Sequence, residues 1–186
     1  MGAAPALRLP APVTLVLGGA RSGKSRYGER LAETQPGRPL YVATAQAGDA
    51  EMAARIAAHR ARRGRRWDTV EEPLELVAVL RAPRSGESTD EEGAVLVDCL
   101  TLWLSNLLHA RRDPAAETDA LLAVLPALTR PVVFISNEVG LGVVPDNALA
   151  RAFVDRAGRM HQRLADAAQS VVFMAAGQAM LLKSPR

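Results

Sequence analysis

Eight consecutive residues have the types and the spacing of a phosphate-binding loop. Positions 18–25 read GGARSGKS and complete the pattern G-x-x-x-x-G-K-[ST]. Gly18 and Gly23 let the backbone turn and bring its N–H groups close to a polyphosphate. Lys24 can reach the β- and γ-phosphates of a nucleotide, and the Ser25 hydroxyl can ligate Mg²⁺. The pattern therefore predicts a loop that binds a nucleoside triphosphate together with its metal ion.

The alternative is a glycine-rich turn from a strand into a helix that binds no ligand. Residues 13–17 form a β-branched apolar run directly before the loop, and residues 24–34 follow it as a plausible helix. A strand before the loop and a helix after it are the context that this motif requires. The context favours nucleotide binding over the turn without a ligand.

A carboxylate closes another apolar run, which reads Val-Leu-Val-Asp and ends at Asp98. Phosphate-binding loops of this type need a carboxylate at the end of a neighbouring strand, where it holds Mg²⁺ directly or through water. Asp98 could instead cap the helix that begins near Leu100. Because a phosphate-binding loop is present, the metal or nucleotide role is the favoured interpretation of Asp98.

The segment 51–66 is strongly basic, with six arginines between positions 55 and 66. At helical spacing, Arg55, His59 and Arg62 recur at i, i+4 and i+7, which puts one imidazole between cationic neighbours. Such neighbours favour the neutral imidazole. Three interpretations stay open: a solvated basic face, a nucleic-acid patch, and a grip on a triphosphate that His59 attacks as a nucleophile. Composition alone does not choose among them.

Residues 136–145, which read SNEVGLGVVP, follow a predicted buried strand. An amide, a carboxylate and two glycines at a strand end lie where an α/β sheet places its ligands. The glycines and Pro145 could equally well do no more than build the turn into the helix that follows. The residues alone do not separate these two interpretations.

The elements that must position these groups alternate between short apolar runs and longer helical stretches. Strands that are nearly all apolar indicate a parallel sheet covered on both faces. The alternation predicts a doubly wound α/β fold, with ligands at the carboxyl ends of the strands. The predicted strands are 13–17, 39–44, 94–99, 131–136 and 170–175. The predicted helices are 24–34, 50–63, 73–81, 100–111, 117–128 and 146–169, with surface loops at 81–93 and 111–117.

The last helical stretch has apolar residues at spacings of three and four, which predict one buried side. Asn147 or Asp146 can cap its start after Pro145. The predicted buried side comprises Leu149, Phe153, Met160, Leu164 and Ala168.

Length and composition bound the class of protein. The 186 residues, 48% hydrophobic and 23% charged, fit one domain at 13–186 after a loose extension at 1–12. The net charge of +3 gives no strong case for nucleic-acid binding. Cys99 is the only cysteine, which excludes an internal disulfide and suits a reducing cytoplasm. No apolar run approaches the roughly 18–20 residues of a membrane span.

With these motifs in this order, the chain resembles the bifunctional adenosylcobinamide kinase/adenosylcobinamide-phosphate guanylyltransferase family of cobalamin biosynthesis. The resemblance runs from the phosphate-binding loop to about Gly177, and the combination of motifs is narrow although the loop alone is widespread. The matching motifs are GGARSGKS at 18–25, YVATA at 41–45, EMAARI at 51–56 with His59 and Trp67 downstream, VDCLT at 97–101, SNEVGLGVVP at 136–145 and RAFVDRAGRMHQRLA at 151–165.

The resemblance implies two reactions on a P-loop NTPase-like α/β fold. In the first, the terminal phosphate of ATP or GTP passes to the hydroxyl of the aminopropanol arm of adenosylcobinamide, a corrinoid. In the second, a histidine attacks the α-phosphate of GTP and releases pyrophosphate, and the phosphorylated corrinoid then takes the GMP to give adenosylcobinamide-GDP. By its place in the motif, His59 is the counterpart of that histidine. The family also implies a homotrimer whose neighbouring subunits complete the active site.

The resemblance implies which residues act and shows two departures. It makes His59 and Lys24 the catalytic residues, with Ser25 and Asp98 as ligands of Mg²⁺. Asp98 stands where some relatives have Glu, and this shorter side chain can rearrange the metal or guanine contact. His161 stands where many relatives have Asn, and a polar position on the long helix is its favoured interpretation. The implied nucleotide-binding residues are Gly18, Gly19, Ala20, Arg21, Ser22, Gly23, Lys24, Ser25, Ala43, Thr44, Ala45, Arg60, Ala61, Arg62, Arg63, Glu71 and Asp98.

Three other functions are alternatives. A small-molecule P-loop kinase without guanylyltransferase activity would form no covalent nucleotide. A nucleotide-controlled switch would normally carry an N-K-x-D guanine motif, which the sequence lacks. Nucleic-acid binding through the arginine-rich segment would show a steep salt dependence.

Overall fold

The computed structural model describes residues 12–46, 57, 64–82 and 92–184 and joins their strands into one sheet. The strands are β1 (Val13–Gly18), β2 (Arg38–Ala43), β3 (Asp68–Glu71), β4 (Glu92–Asp98), β5 (Val132–Asn137), β6 (Ser170–Ala175) and β7 (Gln178–Lys183). Their order across the sheet is β3-β2-β4-β5-β1-β6-β7. All neighbouring pairs run parallel except β6 and β7, which are antiparallel. The predicted mostly parallel α/β sheet is confirmed.

The described helices connect these strands. They are α1 (Lys24–Glu33), α2 (Leu76–Arg81), α3 (Leu100–His109), α4 (Pro114–Val124) and α5 (Ala148–Ala167), with short 3₁₀ helices at Gly64–Arg66 and Leu125–Ala127. The predicted helix at 50–63 lies outside the described residues apart from Ala57, which is helical. Within the described ranges, none of the helices combines the length and the apolar character that a bilayer crossing requires.

Helices cover both faces of the sheet, because successive side chains of each strand point to opposite sides. In β1, Leu15 packs into one apolar cluster and Val16 into the other, and neither is exposed. The first cluster includes Trp103 of α3 and Leu164 of α5, and the second includes Ala32 of α1. Two buried faces are the reason why the strands read as continuous apolar runs, and they confirm the doubly wound arrangement.

The sequence-based interpretation missed two strands at the edges of the sheet. β3 reads Asp-Thr-Val-Glu and has a single apolar residue, so it lacks the apolar run that identified the other strands. β7 reads Gln-Ala-Met-Leu-Leu-Lys; its four central apolar residues were not assigned to a strand, and all six of its residues are exposed. Edge strands pair on one side only, which is why their residues need not be apolar.

The predicted surface loop at 111–117 is wrong in its second half, because α4 begins at Pro114. The Asp113 side chain caps this helix by accepting a hydrogen bond from the N–H of Ala115 over 2.9 Å. Asp at the N-cap followed by Pro at the first helical position is a strong start signal. The pair places the helix three residues earlier than the predicted start at 117.

The long helix α5 is capped by Asn147, whose side chain accepts hydrogen bonds from the N–H groups of Leu149 and Ala150. Met160 and Leu164 are buried, as predicted. The prediction that Leu149 is buried is wrong, because 72% of this residue is exposed. It lies in the first turn of the helix, two residues after the Asn147 cap.

Candidate active site

The phosphate-binding loop joins β1 to α1 through two residues in the left-handed region. Arg21 has a φ of 58° and Gly23 a φ of 96°, and turns of this kind direct successive backbone N–H groups into one concavity. The N–H of Ser22 donates to the Gly19 carbonyl over 3.3 Å, and the N–H of Gly177 donates to the Ser22 carbonyl over 3.0 Å. The loop is thereby closed on itself and tied to the turn between β6 and β7.

Helix α1 begins directly at the loop, and its N-terminus has no side-chain cap. Gly23 occupies the N-cap position, and no acidic residue lies in the first turn. The first backbone N–H groups of a helix have no partner within the helix, so an uncapped end attracts an anion. Lys24 is buried, and its Nζ donates to the Gly19 carbonyl over 2.9 Å, which folds the lysine back across the loop.

A cavity of about 570 Å³ opens between this helix start and the end of β5. Its lining combines three cationic side chains with one carboxylate and one amide. The N–H of Glu138 donates to the Gly18 carbonyl over 3.0 Å, which ties the two sides of the cavity together. The structure therefore brings the loop and the segment 136–145 to one site. The cavity is lined by Ala20, Arg21, Ser22, Gly23, Lys24, Ser25, Arg26, Asn137, Glu138 and Val139.

Asp98 ends β4, which is not the neighbour of β1. The strand β5 lies between them, since Asp98 pairs with Ile135 and Ile135 pairs with Val16. The expectation of a neighbouring strand is therefore wrong, because strand order is a long-range property that a local apolar run does not encode. Two strand spacings put Asp98 about 10 Å to the side of β1.

The alternative role of Asp98 as a helix cap is not observed. Cys99 occupies the N-cap position of α3, and no side chain caps this helix. Oδ2 of Asp98 instead accepts a hydrogen bond from the Tyr41 hydroxyl over 2.8 Å. Tyr41 packs its ring edge-on against Trp67, with the ring centroids 5.9 Å apart. The carboxylate is therefore oriented by an aromatic residue of β2.

A buried hydrogen-bonded group connects the ends of β2, β4 and β5. The Thr44 hydroxyl contacts both backbone groups of Cys99 at 2.8 Å. The Thr101 hydroxyl lies 3.2 Å from Sγ of Cys99 and accepts from Nδ2 of Asn137 over 2.9 Å. Burial, and then the charge of Asp98, raises the pKa of the Cys99 thiol to about 11. The thiol is thus a structural group in this site, not a nucleophile.

The predicted nucleotide-binding residues fall into two groups along the edge of the sheet. Gly18–Ser25 begin at the end of β1, whereas Ala43–Ala45 begin at the last residue of β2 and Glu71 ends β3. Thr44 is fully buried, so Ala45, which is half-buried, is the part of this turn nearest to solvent. Four strand spacings separate β3 from β1, which corresponds to about 19 Å. A single nucleotide that contacted all of these residues would have to extend over most of this distance.

His161 is buried, with 6% of its surface exposed, and its Nε2 lies 2.7 Å from the Ser136 hydroxyl. Burial lowers the pKa of this imidazole, and the nearby charge of Glu138 opposes that shift. The interpretation of His161 as a polar position on the long helix holds, with the addition that its partner Ser136 precedes Asn137, the last residue of β5. His161 does not line the cavity itself.

The predicted guanylylation residues, His59 and Arg60–Arg63, lie outside the described residues, and their roles stay predictions. Trp67, which follows them, is buried, and its Nε1 donates to Oε1 of Glu33 over 3.0 Å. The described chain after this segment is therefore anchored to α1 on the face of the sheet that holds the second cluster.

Several residues of the site were given no role by the sequence. Tyr41 and Thr101 lie in the matching motifs but act through partners 57 and 36 residues away along the chain. Asn137 and Glu138 were noted as a strand-end amide and carboxylate without a choice between site and turn. Their position beside the loop results from the pairing of β1 with β5, which could not be predicted from the sequence.

The chain matches a family model described as cobinamide kinase/cobinamide phosphate guanyltransferase over residues 14–182. It is 53% identical over 173 residues to the bifunctional adenosylcobalamin biosynthesis protein CobP of Pseudomonas aeruginosa, which covers 91% of this chain and 96% of that one. It is 40% identical over 184 residues to the bifunctional adenosylcobalamin biosynthesis protein CobU of Salmonella typhimurium, with 91% and 98% covered. The CobU protein of Escherichia coli is similar at 39% identity with the same coverage.

Solved structures with little sequence identity share the fold. The flagellar accessory protein FlaH of Methanocaldococcus jannaschii has a TM-score of 0.54 at 13% identity, with 95% of this chain and 80% of that chain covered. The ATPase domain of a second protein has a TM-score of 0.56 at 11% identity, with 94% and 78% covered. These likenesses confirm the P-loop NTPase-like α/β fold.

Proposed function

The chain belongs to the cobinamide kinase/cobinamide phosphate guanylyltransferase family, and from this membership we propose that Gly18–Ser25 holds the phosphate donor while His59 carries the guanylyl group. The enzyme therefore serves adenosylcobalamin biosynthesis with both activities, and its substrate is a corrinoid. The division of roles between the loop and the histidine is the part that needs a test.

The cavity beside the loop carries the kinase half of the proposal. It joins an uncapped helix start, the Lys24 and Ser25 side chains and two further cations in one space. Phosphoryl transfer needs little covalent chemistry from the protein, so its catalysis consists of positioning and of stabilising charge on the transferred group. Backbone N–H groups and cations that already face the cavity supply both. ATP or GTP is the donor.

His59 carries the guanylyltransferase half. Its ring nitrogen attacks the α-phosphorus of GTP, the bond to the bridging oxygen breaks, and pyrophosphate leaves. The phosphoramidate then passes GMP to the phosphorylated cobinamide. Arg60–Arg63 neutralise charge on the transferred group, and Ala43–Ala45 and Glu71 contact the nucleotide. The position of Glu71, about 19 Å from β1, supports a guanine nucleotide that extends along the strand ends, away from the loop.

Mg²⁺ is the metal ion that this donor set suits, with Ser25 and Asp98 as its protein ligands. Among the described residues, no three His, Cys, Asp or Glu side chains converge as ligands. Magnesium needs no such cluster, because it keeps several waters and binds one or two carboxylates together with substrate phosphates. Oδ1 of Asp98 makes no hydrogen bond to the described residues and can take this role. Bound Mg²⁺ would neutralise charge on the β- and γ-phosphates.

The test of the covalent step is retention of label from α-labelled GTP after denaturation. The wild-type enzyme should keep an acid-labile, base-stable label, and His59→Ala should keep none. His109→Ala is the matched control, because His109 is exposed at the end of α3 and should leave retention unchanged. A wild-type protein that never retains GMP would leave a P-loop kinase without guanylyltransferase activity.

We further propose that the enzyme is a single-domain protein that works in the cytoplasm as a homotrimer and does not bind nucleic acid. A single buried cysteine suits a reducing compartment. Sedimentation equilibrium should give three times the chain mass of 19.8 kDa. A monomer at assay concentrations, or salt-sensitive binding of generic duplex DNA, would contradict these points.

A further inference from the structure

We propose that Glu138 is the general base of the kinase reaction and takes the proton of the acceptor hydroxyl of cobinamide. The inference rests on the proposed function of Gly18–Ser25 as the donor site. In this step the acceptor oxygen forms a bond to the γ-phosphorus, and the bond from that phosphorus to the β–γ bridging oxygen breaks. The hydroxyl proton moves to the Glu138 carboxylate, so the products are phosphorylated cobinamide and a nucleoside diphosphate.

Glu138 lies on the side of the cavity that faces the phosphate-binding loop. Asn137, the last residue of β5, pairs with Gly18, the last residue of β1. The Glu138 N–H then donates to the Gly18 carbonyl over 3.0 Å, so the first residue beyond β5 is bound to the start of the loop. Its side chain lines the same cavity as Lys24 and Ser25. An acceptor hydroxyl bound between the loop and Glu138 would lie beside both the γ-phosphate of the donor and the Glu138 carboxylate.

The Glu138 carboxylate is oriented and still has one oxygen available. Oε1 accepts a hydrogen bond from the N–H of Gly140, which folds the side chain against the turn that follows β5. Oε2 makes no hydrogen bond to any described residue. A general base must present an acceptor within hydrogen-bond reach of the proton it removes. One fixed oxygen and one open oxygen meet this requirement.

The other proton acceptors near the site do not line the cavity. Among the described residues that line the cavity, Glu138 is the only one with a carboxylate or an imidazole. Asp98 does not line this cavity, and the proposed function assigns its open oxygen, Oδ1, to Mg²⁺. His161 is buried behind Ser136 and contacts its hydroxyl.

Cations near Glu138 allow a carboxylate to lie beside a triphosphate. Arg21, Lys24 and Arg26 line the same cavity as Glu138. Three cations can offset the repulsion between the donor phosphates and one carboxylate. From α5, His161 is the titratable group that the Glu138 charge reaches. The Glu138 carboxylate thus shares one cavity with the cations proposed to hold the donor.

The test is the steady-state kinetics of cobinamide phosphorylation by Glu138→Gln. The amide oxygen of Gln can still accept from Gly140, so the turn is preserved while the base is lost. We expect kcat to fall by about 100-fold or more, with the KM for cobinamide and the Kd for ATP changed by less than about threefold. Asp146→Asn removes a carboxylate from the same segment at an exposed position outside the cavity and should match the wild type.

A second variant separates a lost base from a disturbed fold. Glu138→Ala should be nearly inactive, and added formate or acetate should restore part of its kcat because a small carboxylate can occupy the vacated space. A kcat of Glu138→Gln within about threefold of the wild type would overturn the proposal. So would a kcat that high Mg²⁺ restores, since this would make Glu138 a metal ligand. Wild-type enzyme that does not phosphorylate cobinamide would instead contradict the proposed function.

Discussion

The hydroxyl of Tyr41 holds the carboxylate of Asp98, through a hydrogen bond of 2.8 Å between the ends of two neighbouring strands. The Tyr41 ring meets Trp67 edge-on, and the Trp67 indole donates to Glu33 of α1. A proposed metal ligand is therefore oriented by residues of β2, of the segment before β3 and of the helix that begins at the phosphate-binding loop. The geometry of the proposed metal site therefore depends on packing outside it.

Tyr41→Phe should weaken the metal site and cost little stability. Without the hydroxyl, Oδ2 of Asp98 loses its donor, so the concentration of Mg²⁺ that half-saturates the kinase should rise several-fold. The free energy of unfolding should fall by about 0.5–1.5 kcal/mol, the usual net contribution of one hydrogen bond. Mg²⁺ titrations of kcat/KM and urea unfolding measure the two effects. Tyr27→Phe, at the only other tyrosine, is the control, and equal Mg²⁺ requirements in the two variants would refute the coupling.

Cys99 should react slowly with thiol reagents in the native enzyme. A pKa of about 11 instead of 9.0 lowers the thiolate fraction about a hundredfold at neutral pH, and burial restricts access further. Alkylation by iodoacetamide, followed by mass spectrometry, should be at least that much slower in buffer than in concentrated guanidinium. Because the chain has one cysteine, the label reports a single site. Equal rates in the two solvents would show that the thiol is open to solvent.

His161 should make folding stability fall as the pH falls. Its pKa is about 6.5 in the unfolded chain and lower in the folded one because of burial. Below about pH 6.5 the unfolded state binds a proton that the folded state does not, so the free energy of unfolding decreases toward the folded pKa. Well above pH 6.5, His161 adds no pH dependence to the free energy of unfolding.

His161→Asn should therefore flatten the pH profile of urea unfolding between about pH 7 and pH 5. His109→Asn, at an exposed position, should keep the wild-type slope. A His161→Asn profile as steep as that of the wild type would assign the dependence to other groups.

Lys24→Ala should abolish phosphoryl transfer. The lysine is folded across the loop and is the cation proposed to reach the β- and γ-phosphates, so its loss should lower kcat by about 100-fold or more. Retention of label from α-labelled GTP should also weaken if both reactions share the loop. Lys183→Ala, at the only other lysine, is the control. Unchanged kinase activity in Lys24→Ala would mean that the donor binds elsewhere.

Local and contiguous features were predictable from the sequence. Residues 18–25 form one stretch whose spacing indicates phosphate binding. The five buried strands read as apolar runs because helices cover both their faces. Asn147 could be named as a cap because capping is a local interaction. The family, the fold and the two activities followed from these features and from the order of the motifs, and the comparisons confirm them.

Features that depend on distant partners were not predictable in the same way. The insertion of β5 between β1 and β4 is a matter of strand order, so Asp98 was expected one strand too close. The hydrogen bond from Tyr41 and the contact of Ser136 with His161 join residues 57 and 25 positions apart. The strand β7 carries the apolar run Ala-Met-Leu-Leu, but its pairing with β6 was not recognised from the sequence.

The last two strands also affect chemistry that lies far from them in sequence. Ala176 and Gly177 both adopt positive φ, at 49° and 77°, in the tight turn between β6 and β7, as two-residue hairpins require. That hairpin presents the Gly177 amide to Ser22. Removing β7 would remove no buried side chains. It would, however, release the hairpin, so that the phosphate-binding loop would lose its hydrogen bond from Gly177. Catalytic competence should then be lost before global folding is.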